Sequence, residues 1–163
     1  MKKFVYSLLF VVMAIVSVVS FVSCGSDDDD DPVKEEYLMY KFWLSNDALE
    51  LADVVASGIN ISFTTPATYG DISGKEATIE LVGAATKTTS FTITLNPKSN
   101  WKEILATKDK ATIAFGSGHG DVKGTAINIG TSITSGSASK EKSGENYEAA
   151  VEHLLTTVKL HSK

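Results

Sequence analysis

Apolar and polar side chains alternate along most of the chain beyond residue 33. A period of two is typical of strands that bury one face and expose the other to water. The alternation predicts six strands, over residues 37–45, 53–65, 76–81, 88–95, 110–116 and 122–134. The short stretch 83–87 predicts an antiparallel hairpin between the third and fourth strands, and the glycines at 116–120 predict a loop between the last two.

The first and last of these strands carry apolar side chains whose directions can be predicted. Residues 37–45 are apolar on both faces, so we expect both faces to be covered. In residues 122–134 we expect Ile127, Ile129 and Ile133 to point inward. They are separated by even numbers of residues, so their side chains lie on the same face of a strand.

Three short helices interrupt the alternation. Residues 46–52 have room for one or two turns, and residues 100–103 have the spacing of a capping box. The third follows a loop at 135–144: Ser143 is its expected cap, and its apolar positions recur at one helical face, namely Tyr147, Ala150, Val151, Leu154 and Leu155. Residues 158–160 either prolong this helix or form a final strand, and their β-branched neighbours favour the strand.

This order of elements predicts a mainly β fold over residues 33–163. Short strands without βαβ alternation favour an antiparallel β-sandwich, immunoglobulin-like or a partly open barrel, with short helices that include a C-terminal amphipathic one. A domain of this size removes roughly 65–70% of its unfolded surface from water, which is enough for a hydrophobic core.

The first 23 residues have a different pattern. Lys2 and Lys3 precede twenty residues, 4–23, whose polar members are serines and one tyrosine, as in an export signal. The length alone also suits a retained membrane helix. Residues 21–25, Phe-Val-Ser-Cys-Gly, resemble the lipobox of bacterial lipoproteins, with Phe21 where leucine is usual. The resemblance implies that residues 1–23 are cleaved and that Cys24 carries diacylglycerol and an N-acyl chain.

An acidic run follows this cysteine after two residues. Residues 24–32 comprise the cysteine, a glycine, a serine, five consecutive aspartates and a proline, and the members that matter here are Ser26, Asp27, Asp28, Asp29 and Asp30. The run resembles the surface-export signal of lipoproteins from Bacteroidetes-type bacteria, which implies the outer face of the outer membrane. It also serves as a spacer, because like charges extend a chain and residues 25–36 span up to ~40 Å.

Composition and charge limit the classes of partner that we expect. The chain has 163 residues, a formal net charge of -5, one cysteine and no arginine. An acidic chain without guanidinium groups is poorly suited to nucleic acid, so no nucleic-acid partner is expected. With Cys24 as the single thiol, there is no disulfide partner in the chain.

Ser117, His119 and Asp121 are the residue types of a catalytic triad. Spaced two apart, however, they would point side by side instead of converging, and a hairpin loop accounts for them. His119, His153 and His161 are too scattered to predict a metal site, so no cofactor is expected beyond the lipid on Cys24.

Three aromatic residues are candidates for stacking on a sugar ring: Tyr37 and Trp43 on the first strand, and Trp101 in the second helix. The alternative is that they pack beneath the C-terminal helix or a second sheet, as large aromatic residues commonly do.

The sequence therefore predicts a non-enzymatic lipoprotein of the cell surface that serves in binding, adhesion or envelope assembly. Its expected partners are the membrane, through the lipid, and a glycan or an envelope protein. One alternative is a small glycan hydrolase built on Asp53, Asp109 or Asp121. Another is a structural subunit of a surface fibre or transport complex, whose unpaired strand edge joins a partner.

Overall fold

The computed structural model describes residues 35–162, and the predictions for Cys24 and for the acidic run lie outside them. The described residues fall within one compact unit. Their strands are β1 Tyr37–Ser45, β2 Ala52–Ser57, β3 Thr65–Tyr69, β4 Ile72–Val82, β5 Thr92–Pro97, β6 Lys110–Gly120, β7 Thr134–Ser139 and β8 Lys159–His161. Their helices are α1 Asn46–Leu51, α2 Ala85–Thr88, α3 Trp101–Ala106, α4 Lys140–Ser143 and α5 Tyr147–Thr157.

The strands form two antiparallel sheets. The larger has the order β3-β4-β1-β6-β7 and the smaller the order β2-β5-β8. This arrangement confirms the predicted fold class: mainly β, with short helices that include a C-terminal one. The sheets do not close into a barrel.

The inner face of β1 packs on the smaller sheet. Phe42 is buried there, and its ring meets the ring of Phe91 edge-on, with centroids 5.7 Å apart. Ile93 of β5 and Leu160 of β8 complete this part of the core. The alternating apolar positions of β1, β4 and β5 thus meet across the space between the sheets, as in other packed sheets.

The helices close the other part of the core. In α5, Tyr147, Val151 and Leu155 are buried at a spacing of four residues, which confirms the predicted apolar face. They pack in one cluster with Leu44 of β1 and Leu105 of α3.

The outer face of β1 is covered as well, as its apolar pattern predicted. Trp43 is completely buried there, in a cluster with Ile127 and Ile129 from the irregular segment 122–133. This segment was predicted to be a strand, and that prediction was wrong. It contains only a 3-10 turn, Gly130–Ser132, because its isoleucines pack onto the face of the larger sheet instead of extending it.

The glycines at 116, 118 and 120 lie in β6 and not in the predicted loop. They face the covering segment. A Cβ atom on Gly118 would lie 2.6 Å from Ile129 Cγ2 and 2.7 Å from Ile127 Cγ2, so the missing side chains make room for the isoleucines. β6 therefore continues through a stretch whose composition is typical of a loop.

The predicted hairpin of residues 76–95 was also wrong. β4 belongs to the larger sheet and β5 to the smaller one, and residues 83–91, with helix α2, carry the chain between them. The alternation itself was correct, since Ile79 and Leu81 of β4 and Ile93 of β5 are buried. Alternation does not distinguish neighbours in one sheet from strands that face each other across a core.

The predicted strand 53–65 is divided in the same way. β2 ends at Ser57, and Gly58 follows with a positive φ of 84°. A Cβ atom on Gly58 would lie 2.1 Å from the carbonyl oxygen of Ser90, so only glycine fits this turn. β3 then begins at Thr65 in the other sheet.

Several local predictions near the helices differ from the structure. The side chain of Asn100 makes no capping hydrogen bond, and the predicted loop 135–144 contains β7 and α4. Ser143 belongs to α4, while Asn146 precedes α5 without a side-chain cap. The expected final strand is confirmed as β8.

Candidate functional site

Two of the three aromatic candidates are buried. Trp43 has no exposed surface, and its Nε1 donates a hydrogen bond to the carbonyl oxygen of Ala67 at 3.2 Å. Trp101 is 7% exposed and packs in the helical part of the core. Neither indole offers a ring face to a sugar, so their prediction as stacking residues was wrong. The packing alternative holds for Trp101, which clusters with residues of α5, whereas Trp43 packs beneath the segment 122–133 and not beneath the C-terminal helix or a second sheet.

Tyr37 keeps part of its surface exposed at the start of β1. Its hydroxyl lies 3.5 Å from Met39 Sδ, on the outer face of the larger sheet. The three predicted aromatic residues are therefore not brought together into one platform.

The residues that suggested a triad lie along a strand. Ser117 and His119 belong to β6 and stand opposite Phe42 and Tyr40 of β1. Side chains two apart on a strand lie ~6.6 Å apart and parallel, which does not bring a nucleophile onto a base. The His119 ring instead lies 6.1 Å from the ring of Tyr40.

The three candidate hydrolase acids are also separated. Asp109 and Asp121 flank the eleven-residue strand β6, which puts them ~40 Å apart along the strand. Asp53 lies on β2 in the other sheet. A glycosidase pair needs carboxyl groups about 5–10 Å apart, so Asp109 and Asp121 do not form one.

Two clusters of paired charges tie elements together. Lys108 Nζ lies 2.9 Å from Asp47 Oδ1 and 2.7 Å from Glu50 Oε2, and hydrogen bonds to Glu50 and Asp47 raise the pKa of Lys108. Asp47 Oδ2 also accepts a hydrogen bond from the backbone N–H of Thr112 at 2.8 Å, which joins α1 to β6. Because these groups satisfy one another, we assign them a structural role.

The second cluster lies on the outer face of the larger sheet. Lys41 Nζ lies 3.2 Å from Glu76 Oε2, and the hydroxyl of Tyr69 donates a hydrogen bond to Glu76 Oε1. Burial, and then the hydrogen bond to Glu76, raise the pKa of Tyr69 to about 12. This cluster joins β1, β3 and β4 and likewise serves the fold.

Within residues 35–162, no three or more His, Cys, Asp or Glu side chains gather in a way that would hold a metal ion. None of the helices in this described segment has the length and hydropathy needed to cross a membrane.

The outer face of the smaller sheet is open to solvent. Register places Ser57, Thr92 and His161 in one row across β2, β5 and β8. The next row on that face is Val55, Thr94 and Lys159, of which Val55 is 42% exposed. Hydroxyl groups thus occupy the centre of this face, and two basic side chains occupy one edge.

A groove of about 540 Å³ lies at one end of this face. Its hydroxyl groups come from Ser57, Ser90 and Thr92, and its basic groups from Lys159 and His161. Phe91, which is 4% exposed, lies beneath them. We call these six residues the sheet groove.

Backbone contacts hold the walls of the sheet groove together. Ser162 Oγ accepts a hydrogen bond from the backbone N–H of Phe91 at 3.0 Å, and the N–H of Ser162 donates to the carbonyl oxygen of Phe91 at 3.2 Å. The turn at Gly58 brings the end of β2 against Ser90. The groove is thus formed by three segments that are distant in sequence.

Sequence reasoning missed the sheet groove, although two signals for it were present. The threonines of β5 alternate with buried residues, which indicates that they face the solvent. Lys159 and His161 flank Leu160 and share a face when residues 159–161 form a strand. The sequence pattern does not predict that β8 pairs with β5, and the groove depends on this pairing.

The chain matches no protein-family model, no curated protein and no solved structure. Its fold and surface define the class of protein on their own: a two-sheet antiparallel β domain with an open groove of hydroxyl and basic groups.

Proposed function

We propose that this chain is a lipoprotein anchored through Cys24 to the outer membrane and facing the exterior, and that its β domain is a non-catalytic binding module. The observation that carries the proposal is the sequence around Cys24: an apolar segment of twenty residues that ends in a small residue, then the cysteine and an acidic run. A diacylglyceryl cysteine supplies two acyl chains, which suffice for stable anchoring, whereas one chain does not.

The β domain supports the binding part of the proposal. The sheet groove is open and polar, and its hydroxyl groups and basic side chains suit reversible hydrogen bonding to a ligand. Asp109 and Asp121 lie at opposite ends of β6, too far apart for a hydrolase pair, and this separation favours binding as the role of the domain.

The anchor is tested by replacing its nucleophile. In the native host, Cys24→Ala should abolish labelling by radioactive palmitate and remove the chain from the washed membrane fraction. Ser23→Ala is the matched control, because it keeps the cysteine and a small residue before it. A Cys24→Ala protein that stays in the membrane without label would show that the apolar segment itself is the anchor.

The surface location is tested by shaving intact cells with a protease. We expect the β domain to be cut in intact cells, and a variant with asparagine at residues 27–30 to be protected until the outer membrane is permeabilised. A periplasmic protein serves as the control for integrity. If the wild-type domain survives until the membrane is breached, surface display is refuted.

A second candidate function is a structural subunit that extends its sheet by pairing with a partner. β2 is an edge of the smaller sheet, and Val55 at its centre is 42% exposed. Edge strands of this kind are templates for pairing with another chain. Oligomers that grow with concentration, and that Val55→Lys disrupts, would favour this function over ligand binding.

A further inference from the structure

We infer that the sheet groove binds an acidic glycan, a sugar chain that carries carboxylate or sulfate groups. This inference rests on the proposed binding function and names its ligand class. It follows from the arrangement of hydroxyl and basic groups on the smaller sheet.

The spacing of the groups suits a chain of hydroxyl-bearing rings. Ser57, Thr92 and His161 stand in register on three neighbouring strands, which are 4.7–4.9 Å apart in general, so they cover ~10 Å. Lys159 lies two residues from His161 on the same face, ~6.6 Å away. A ligand lying across the strands therefore meets hydroxyl groups along its length and two basic groups at one end.

The charge of the groove selects for an acidic ligand. None of the described residues that line the groove is an acid, and Lys159 and His161 take part in none of the ion pairs found between residues 35 and 162. The acid on the same face, Asp53, stands four residues from Ser57, ~13 Å along β2. Hydrogen bonds from charged donors to carboxylate or sulfate are roughly twice as strong as neutral ones, so the basic edge favours an anion.

The remaining surface favours a sugar over a protein or a lipid. The apolar residue of the groove, Phe91, is almost fully covered, so the groove offers no pocket for the aromatic or aliphatic anchors that dominate protein interfaces. A lipid surface would also need exposed apolar side chains. Hydroxyl groups from Ser57, Ser90 and Thr92 both donate and accept, which matches the hydroxyl groups of a sugar.

The test uses the full-length lipidated chain in detergent micelles and isothermal titration calorimetry. The probes are hexagalacturonate and a sulfated heparin hexasaccharide as acidic glycans, maltohexaose as a neutral glycan, and hexaglutamate as an acid without sugar. We expect at least one acidic glycan to bind at least tenfold more tightly than maltohexaose and hexaglutamate. Higher salt should weaken the binding, because the charges are exposed.

The variants locate the site. Lys159→Gln with His161→Gln should weaken binding of the acidic glycan at least tenfold, and Thr92→Val should weaken it by a smaller factor. Lys123→Gln removes an exposed positive charge outside the groove and should bind as the wild type does. All three basic side chains are exposed, so we expect their replacement to leave the fold intact. Equal unfolding midpoints of the variants and the wild type would verify this.

Several outcomes would overturn the inference. Equal affinity of the double variant and Lys123→Gln would place the ligand elsewhere, and hexaglutamate that binds as tightly as the glycans would identify an acidic peptide as the ligand class. Absence of binding by every probe would also refute it. These outcomes leave the lipid and shaving experiments unchanged, so a surface lipoprotein whose groove fails these tests would retain its proposed anchor and location.

Discussion

The contact between Gly118 and the covering segment gives the sharpest test of the fold. Alanine at this position would place its Cβ 2.6 Å from Ile129 Cγ2 and 2.7 Å from Ile127 Cγ2. Both methyl groups branch directly from the Cβ of their isoleucine, so they cannot move away unless the segment moves. Forcing one extra carbon into a packed site costs about 1–3 kcal/mol.

The backbone partly offsets this cost. Replacing glycine by alanine in a strand gains about 0.5–1 kcal/mol, because alanine has less conformational freedom to lose on folding. The expected net loss of unfolding free energy for Gly118→Ala is therefore about 0–2.5 kcal/mol, with a central value of ~1 kcal/mol.

Two neighbouring glycines serve as matched controls. A Cβ on Gly116 would lie 2.4 Å from Ile133 Cδ1, the flexible end of a side chain, and a Cβ on Gly120 would lie 3.3 Å from Ile127 Cγ1. We therefore expect Gly118→Ala to destabilise most, Gly116→Ala less, and Gly120→Ala by no more than ~0.5 kcal/mol.

Urea unfolding measures this series through the fluorescence of Trp43 and Trp101, which are both buried. In the double variant Gly118→Ala/Ile129→Ala, the two losses should fall short of additivity by ~1 kcal/mol, because the second change removes the clash with Ile129 while the clash with Ile127 remains. A Gly118→Ala protein at least as stable as Gly120→Ala would refute the packing of residues 122–133 on β6.

Three further predictions concern buried polar groups. Ser45 Oγ donates to the carbonyl oxygen of Thr112 and accepts from the N–H of Ala114, so Ser45→Ala should lower the unfolding free energy by about 1–3 kcal/mol in urea titrations. The raised pKa of Tyr69, about 12 against a usual 10, should stabilise the fold fully below pH 10 and lose that effect as the pH rises to 12. The phenolate absorbance lost in Tyr69→Phe reports this pKa, and Glu76→Gln should lower it; a pKa near 10 in the wild type would contradict the burial of this phenol. The Tyr147 hydroxyl is buried without a hydrogen-bond partner among residues 35–162, so Tyr147→Phe should leave stability unchanged or raise it by up to ~1 kcal/mol, and a clear loss in the same urea assay would reveal a missed partner.

The first strand and the C-terminal helix are the elements that the sequence predicted best. Residues 37–45 form β1 with the predicted bounds, and the apolar positions of α5 are buried as expected. Period is a local property, because each side chain direction follows from the one before it. Partners are not local, which is why β4 and β5 have the predicted faces but lie in different sheets.

The glycines of β6 show a second limit. Glycine is typical of loops because it lacks a side chain to pack and loses most freedom on folding. In β6 the space beside the glycines is filled by Ile127, Ile129 and Ile133, which come from a later segment. The glycines and the isoleucines lie in neighbouring stretches of sequence. Neither set predicts the other, because only the three-dimensional structure shows that they are in contact.

The sheet groove also depends on contacts between residues that are distant in sequence. The packing of the core determines which residues of β8 face the groove. A shift of β8 by one residue would turn Lys159 and His161 inward and Leu160, now 5% exposed, outward. Burying a lysine ammonium without a partner is costly, and exposing a buried leucine loses about 1.5–3 kcal/mol, so the core fixes the register. The position of the two basic side chains beside the hydroxyl groups of β5 therefore follows from Leu160. A change at that buried residue should disturb the groove as much as a change within it.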